Sequence, residues 1–300
     1  MRMLPALAAA SVAAAALAGS ALAADSPFPA TKVSGVFVAA QTVTPTGAVS
    51  NFVAPGGKVV FRAYAVDAKN KKVLAAKDVK FFYVKLPNSP NLKLAYDAKA
   101  PGANAQQAWS GTWTVPASYP EGVVAFKVLV KTVAKHVGSF EQMPIATARL
   151  TVSKTPQDPI GPAGADKTAA AQAFDASLYV DAVNGTRPVG AAARPIGCTQ
   201  TNVFRRGEQL VVRSWGVDMA DGSILSTENV REAHWTITGV AAPVTMNWGL
   251  HGTADNRVYF WSGALIVPAD YPLGDSVIKV TYTLESGKAA SYEYAVTIIP

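Results

Sequence analysis

The stretch Trp109-Ser-Gly-Thr-Trp-Thr-Val-Pro-Ala-Ser-Tyr-Pro-Glu-Gly122 returns 152 positions later as Trp261-Ser-Gly-Ala-Leu-Ile-Val-Pro-Ala-Asp-Tyr-Pro-Leu-Gly274. A second block, Val59–Asp67 (VVFRAYAVD), returns 151 positions on as Leu210–Asp218 (LVVRSWGVD). Two signatures in the same order, slipped by one residue, mean two copies of one folding unit. Positions shared by the copies therefore report on the fold. Positions that differ carry the information about function.

Within each copy the hydrophobic period is two. In Lys80–Leu86 it sends Phe82, Val84 and Leu86 one way, and in Arg231–Ile237 it sends Ala233, Trp235 and Ile237 the same way. Val123–Val130 and Val277–Leu284 are β-branched runs of strand length. Between such runs stand turn residues: Asp67-Ala-Lys-Asn70, Asp218-Met-Ala-Asp-Gly222, Pro87-Asn-Ser-Pro90 and the two Tyr-Pro-x-Gly elements. Short strands with turns every 8–12 residues predict an all-β chain of two sandwiches, not a βαβ fold. The segment 154–175 holds a Pro- and Gly-rich run without apolar periodicity and reads as a linker. The expected layout is a first domain over 26–153 and a second over 176–300.

The Trp followed by Val-Pro-Ala-x-Tyr-Pro-x-Gly and a buried strand resembles the E-to-F corner of bacterial secreted tandem immunoglobulin-like domain proteins. The resemblance covers both copies and implies two immunoglobulin-like β-sandwiches. Its implication for function is broad, because this superfold carries adhesins, carbohydrate modules, chaperones and enzyme appendages alike. The Cys-Trp-Cys pattern of antibody domains is absent, and Cys198 is the one cysteine of the chain.

Residues 1–23 read as a secretory signal. Arg2 supplies the positive region, Leu7 to Leu17 the apolar core, and Ala21-Leu22-Ala23 the small-x-small cleavage pattern. That core is too short and too Ala-rich to span about 30 Å of hydrocarbon. No cysteine follows the cleavage point, which argues against a lipid anchor, and no later apolar run predicts a transmembrane segment. The expected address is periplasmic or extracellular. Without an intramolecular disulfide, each domain must rest on its hydrophobic core.

Charge separates the copies. From 26 to 153 there are fifteen Lys/Arg against five Asp/Glu, and from 176 to 300 nine against eleven. The overall +7 therefore resides in the first domain. Lys69, Lys71, Lys72, Lys77, Lys80 and Lys85 cluster around one hairpin, joined by Lys93 and Lys99. This predicts an anionic partner: an acidic protein, an anionic polymer or the outer-membrane surface. The competing reading is a solubility and edge-protection device. Nucleic acid is disfavoured by the compartment and by the scarcity of Arg.

Soft metal ligands separate them too. Cys198, His234 and His251 stand where the first copy has Gly47, Tyr83 and Lys99, and Met219 and Met246 lie in the same half. Converging, they would suit copper or haem iron in an electron-transfer partner. Trp215 and Trp248 are candidates for stacking on sugars, as in a carbohydrate-binding or cell-surface adhesion module. There is no Gly-x-Ser-x-Gly elbow, His-Glu-x-x-His or phosphate loop. The sequence thus predicts a non-catalytic binding or accessory protein, with no resident cofactor and with the metal and carbohydrate readings as alternatives.

Overall fold

The computed structural model describes residues 35–97, 109–142, 149–155, 175–185, 198–252 and 257–300. The signal segment 1–23 and most of the linker 154–175 lie outside the described residues. Both sequence blocks occupy the same strands in both halves. Lys58–Asp67 pairs antiparallel with Val36–Val43 on one side and Trp109–Thr114 on the other. In the second half Gln209–Asp218 lies likewise between Ala176–Asn184 and Val258–Ile266.

The opposing sheet of the first domain runs Val137–Glu141, Lys127–Thr132, Val79–Lys85, Leu92–Lys93. That of the second runs Val203–Arg205, Ala289–Ile299, Gly274–Leu284, Val230–Ile237, Val244–Thr245. A parallel pairing recurs as well, Phe52–Val53 on Thr151–Val152 and Val203–Arg205 on the end of Ala289–Ile299. The chain is therefore all-β, two tandem immunoglobulin-like sandwiches. Phe82, Val84 and Leu86 are buried in one core and Ala233, Trp235 and Ile237 in the other, as the alternation predicts.

The repeated residues explain themselves by their hydrogen bonds. Trp109 Nε1 donates to Leu74 O and Trp261 Nε1 to Leu225 O, each at 2.9 Å, so a buried indole finds its acceptor at the matching carbonyl. Tyr119 Oη donates to Pro87 O at 2.7 Å, and Tyr271 Oη to Thr238 O, again the matching carbonyl. These tyrosines pin the Tyr-Pro-x-Gly corner to a turn of the other sheet. Gly122 and Gly274 take φ of +129° and +108° just after it, backbone that a side chain would strain.

One predicted strand breaks. The run Val123–Val130 divides into Gly122–Val123, bridged to Thr151–Val152, and Lys127–Thr132 in the larger sheet. A tight turn, with Phe126 N–H donating to Val124 O at 2.9 Å, moves the chain from one sheet to the other. Its counterpart Gly274–Leu284 stays continuous.

The sandwiches pack directly on one another. Every residue of Val36–Val43 and of Ala176–Asn184 is buried, although only one face of each can serve its own core. Tyr64 Oη donates to Leu178 O, Gln41 Nε2 to Tyr294 Oη at 3.1 Å, and Val49 N–H to Asn202 Oδ1 at 3.0 Å. The rings of Tyr64 and Tyr292 stack at 6.5 Å, and those of Phe140 and Tyr179 meet at 5.5 Å. Burial pushes the Tyr64 and Tyr179 hydroxyls well above the usual phenol range, so both stay protonated. Beside them Arg213 grips Asp181 bidentately, Nε to Oδ1 at 2.7 Å and Nη2 to Oδ2 at 2.6 Å, and Gln200 Nε2 donates to the same carboxylate at 2.7 Å. In the first copy these positions are Gln41, Arg62 and Val49: the arginine is kept and the carboxylate is not.

Candidate functional site

The six lysines read from the sequence fall into two groups. Lys69, Lys71, Lys72 and Lys77 surround the turn after Lys58–Asp67 and the short 3-10 turn Ala76–Asp78. Acidic groups organise this end. Asp67 Oδ1 accepts from the Lys69 and Asn70 amides, and Lys72 Nζ bonds Asp78 Oδ1 at 2.8 Å. The hydrogen bond from Lys72 holds the Asp78 carboxyl below its usual range. Lys80, second in Val79–Lys85, is exposed although it shares the parity of the buried residues, and Lys85 ends the strand on the outer face.

That outer face is the candidate site, and cross-strand register defines it. One row across the sheet reads Glu141, Lys127, Lys85. The next reads Ser139, Leu129, Tyr83, Lys93. The third reads Val137, Lys131, Phe81. Lys85 and Lys127 are direct cross-strand partners, an arrangement that destabilises a sheet unless something anionic relieves it. Glu141 relieves Lys127, its Oε1 lying 2.6 Å from Nζ. Among the described residues no acidic side chain pairs with Lys85, Lys93 or Lys131.

Between these cations lie two rings. Phe81 and Tyr83 have centroids 5.3 Å apart and a 39° interplanar angle, and Phe81 is 36% exposed. Beyond the first row lies a groove of about 380 Å³, lined by Lys85, Lys127 and Arg149 together with Glu141, Leu86 and Phe126. Lys93 joins the lysine cluster read from the sequence, whereas Lys127, Lys131, Phe81 and Tyr83 do not stand out there. The period-two reading that buries Phe82 and Val84 also turns Phe81, Tyr83 and Lys85 outward, and that was the available signal.

The same grid in the second domain is chemically different. Its rows read Glu293, Lys279, Thr236; then Ser291, Thr281, His234, Thr245; then Ala289, Thr283, Glu232. Glu141, Lys127 and Ser139 keep their residue types, whereas Lys85, Lys93 and Lys131 all become threonine, Phe81 becomes a glutamate and Tyr83 an imidazole.

The other predicted ligands do not converge. Cys198 is exposed and sits at φ +62°, where the first copy has Gly47 at φ +92°. Its amide donates to Asn184 O as that of Gly47 does to Thr44 O. A side chain in this left-handed conformation costs about 1–2 kcal/mol. Thr199–Gln200 and Asn247–His251 form opposite edges of one sheet. Asn184, beside Cys198, is in register with Leu210 and through it Leu265, whereas His251 faces Val258. Val258 and Leu265 are separated by roughly 20 Å along the strand. His234 belongs to the other sheet, with Glu232 Oε1 3.2 Å from its Nδ1 but not aligned for a hydrogen bond. Among the described residues no three His, Cys, Asp or Glu side chains gather as metal ligands.

His251 instead stacks on Phe260 at 4.0 Å. Burial, then the charge of Arg213, holds it below the usual imidazole range. Trp215, expected near solvent for stacking on sugars, is 1% exposed. It is wedged between Tyr179 and Phe260, and its Nε1 donates to Tyr259 O, because the outer face of its sheet is the one buried toward the first domain. Trp248 is half-buried and stacked on Tyr259 at 5.8 Å.

No protein-family model matches the chain, and no curated protein matches it. Solved structures similar to it include a Bacteroides ovatus mixed-linkage glucan utilization locus SGBP-B in complex with a mixed-linkage heptasaccharide (12% identity, TM-score 0.19, 83% of this chain and 43% of that one). Others are dimeric latent PorU from Porphyromonas gingivalis (9%, 0.25, 87% and 24%) and an ICAM-5 D1–D4 ectodomain fragment (9%, 0.24, 88% and 53%). The chain thus spans about a quarter to a half of their lengths, and likeness this distant bears on no functional argument. Among the described residues no helix is long and apolar enough to cross a membrane.

Proposed function

We propose that this is an exported, non-catalytic binding protein whose first domain engages an anionic partner through the outer face of Val79–Lys85 and its neighbours. The observation that carries the reading is the facing of Lys85 and Lys127, with Lys93 and Lys131 in the adjoining rows and, among the described residues, no acidic partner for three of the four. Edge protection explains lysine at a rim but not lysines facing one another inside a sheet. The signal-like segment 1–23 supports export, where polymers and surfaces bearing negative charge are abundant.

The test is retention of the full chain on a sulfated-polymer resin at low ionic strength. Charges beyond about 8 Å are largely screened at physiological salt, so retention falls steeply as salt rises. The variant Lys85→Gln/Lys93→Gln/Lys131→Gln elutes at clearly lower salt with its thermal midpoint no lower, since the change also removes the Lys85–Lys127 repulsion. Salt-independent retention, or none at low salt, would return these lysines to a solubility role.

A further inference from the structure

The rings on this face ask for more than charge. We infer that its ligand is an acidic polysaccharide with a carboxylate on each ring, a polyuronate, laid across the strands along the row Leu129, Tyr83, Lys93. This rests on the anionic-partner reading above. A surface built only to attract anions has no use for Phe81, Tyr83 and Leu129 turned outward. The second domain folds the same sheet with Glu232, His234 and Thr281 at those positions, so the fold does not require them.

Geometry narrows the ligand. Neighbouring strands lie about 4.8 Å apart, close to the length of one pyranose unit, so successive sugars fall on Leu129 and then Tyr83. Each offers a flat C–H face to an apolar or aromatic side chain. Lys85 stands in the row on one side of this track, Lys131 in the row on the other, and Lys93 at its end. In an extended ribbon-like glycan, successive carboxylates point to alternate sides, which matches cations on both flanks. Lysines suit single carboxylates as compact charges, without the fork that phosphate- and base-reading arginines supply. A membrane is a poorer match. Interfacial binding sinks a continuous apolar surface about 5–10 Å below the headgroups, whereas here the exposed apolar groups, Phe81 at 36% and Val137 at 60%, are held apart by Lys131 in the same row.

Three probes of the full chain separate the contributions: polygalacturonate, its methyl ester, and polyphosphate. The first has rings and charge, the second rings without charge, the third charge without rings. By affinity electrophoresis or calorimetry at low ionic strength, the protein binds polygalacturonate at least about tenfold more tightly than either of the others. Tyr83→His and Lys85→Thr borrow residues that the second domain already uses in the same sheet, and each weakens polygalacturonate binding several-fold. Tyr83→His leaves polyphosphate untouched, whereas Lys85→Thr weakens both. Polyphosphate bound as tightly as polygalacturonate, with no effect of Tyr83→His, would overturn the polyuronate while leaving an anionic partner in place. Methyl ester bound as tightly as the acid, or no binding to any charged probe, would overturn both readings. The three-probe comparison uses the unaltered chain and does not depend on any variant folding.

Discussion

The two domains are one design executed twice, and they diverge on their two outer faces in opposite senses. On the second sheet, the first domain presents Lys85, Lys93, Lys131, Phe81 and Tyr83 where the second presents Thr236, Thr245, Thr283, Glu232 and His234. On the first sheet, the second domain buries a full Asp181–Arg213 ion pair where the first has Gln41 and Arg62. The first domain has spent its differences on a solvent-facing surface, the second on a sealed one. Since both sandwiches close with the same Trp and Tyr hydrogen bonds, neither set of differences is needed for the fold.

The largest expected effect tests the sealed face. Asp181→Ala leaves Arg213, only 3% exposed, without its charge partner, and costs about 3–5 kcal/mol. Gln41→Ala, the matching change in the first copy, loses one neutral hydrogen bond and costs about 1 kcal/mol. Urea unfolding followed by tryptophan fluorescence measures both, and equal losses would erase the distinction between the copies.

A smaller effect comes from moving the exposed surface. Glu232→Phe, His234→Tyr, Thr236→Lys, Thr245→Lys, Thr281→Leu and Thr283→Lys together place the first domain's apolar and basic groups on the second. The graft strengthens polygalacturonate binding of a Lys85→Thr/Lys93→Thr/Lys131→Thr chain by about tenfold, worth about 1.4 kcal/mol. No gain would mean that the neighbouring groove at Lys85, Lys127 and Arg149, which the graft does not reproduce, is the greater part of the site.

The smallest effect concerns what the copies share. Tyr119→Phe and Tyr271→Phe each remove one phenol hydrogen bond to the matching carbonyl and cost about 1 kcal/mol. Tyr271 loses slightly more, because its Oη also meets Ser276 Oγ at 2.6 Å. Thermal midpoints of the single variants check this, and a neutral Tyr119→Phe would remove the corner from the account of the fold.

The fold was legible because its signals are local or repeated. Period-two alternation places Phe82 and Trp235 in their cores without knowledge of any other strand, and the Tyr-Pro-x-Gly corner repeats in the same order with the strands around it. The candidate site was legible only in part. Net basicity pointed to the first domain, but a lysine count favours the crowded turn at Lys69, Lys71 and Lys72, where Asp67 and Asp78 already organise the charge. The face itself is assembled from Lys85, Lys93, Lys127 and Lys131, which adjoin only through strand pairing.

By itself, then, the sequence determined the duplication, the two sandwiches, their turns and the basic character of the first domain. The tertiary structure alone decided that Lys85 meets Lys127, that Trp215 is sealed beneath Tyr179 and Phe260, and that Cys198 and His251 stand at opposite edges of one sheet. The physical reason is one of range. Alternation along a strand fixes which way a side chain points, whereas its neighbours across the sheet, and what covers the sheet's outer face, depend on strand order, register and domain packing between residues far apart in the chain.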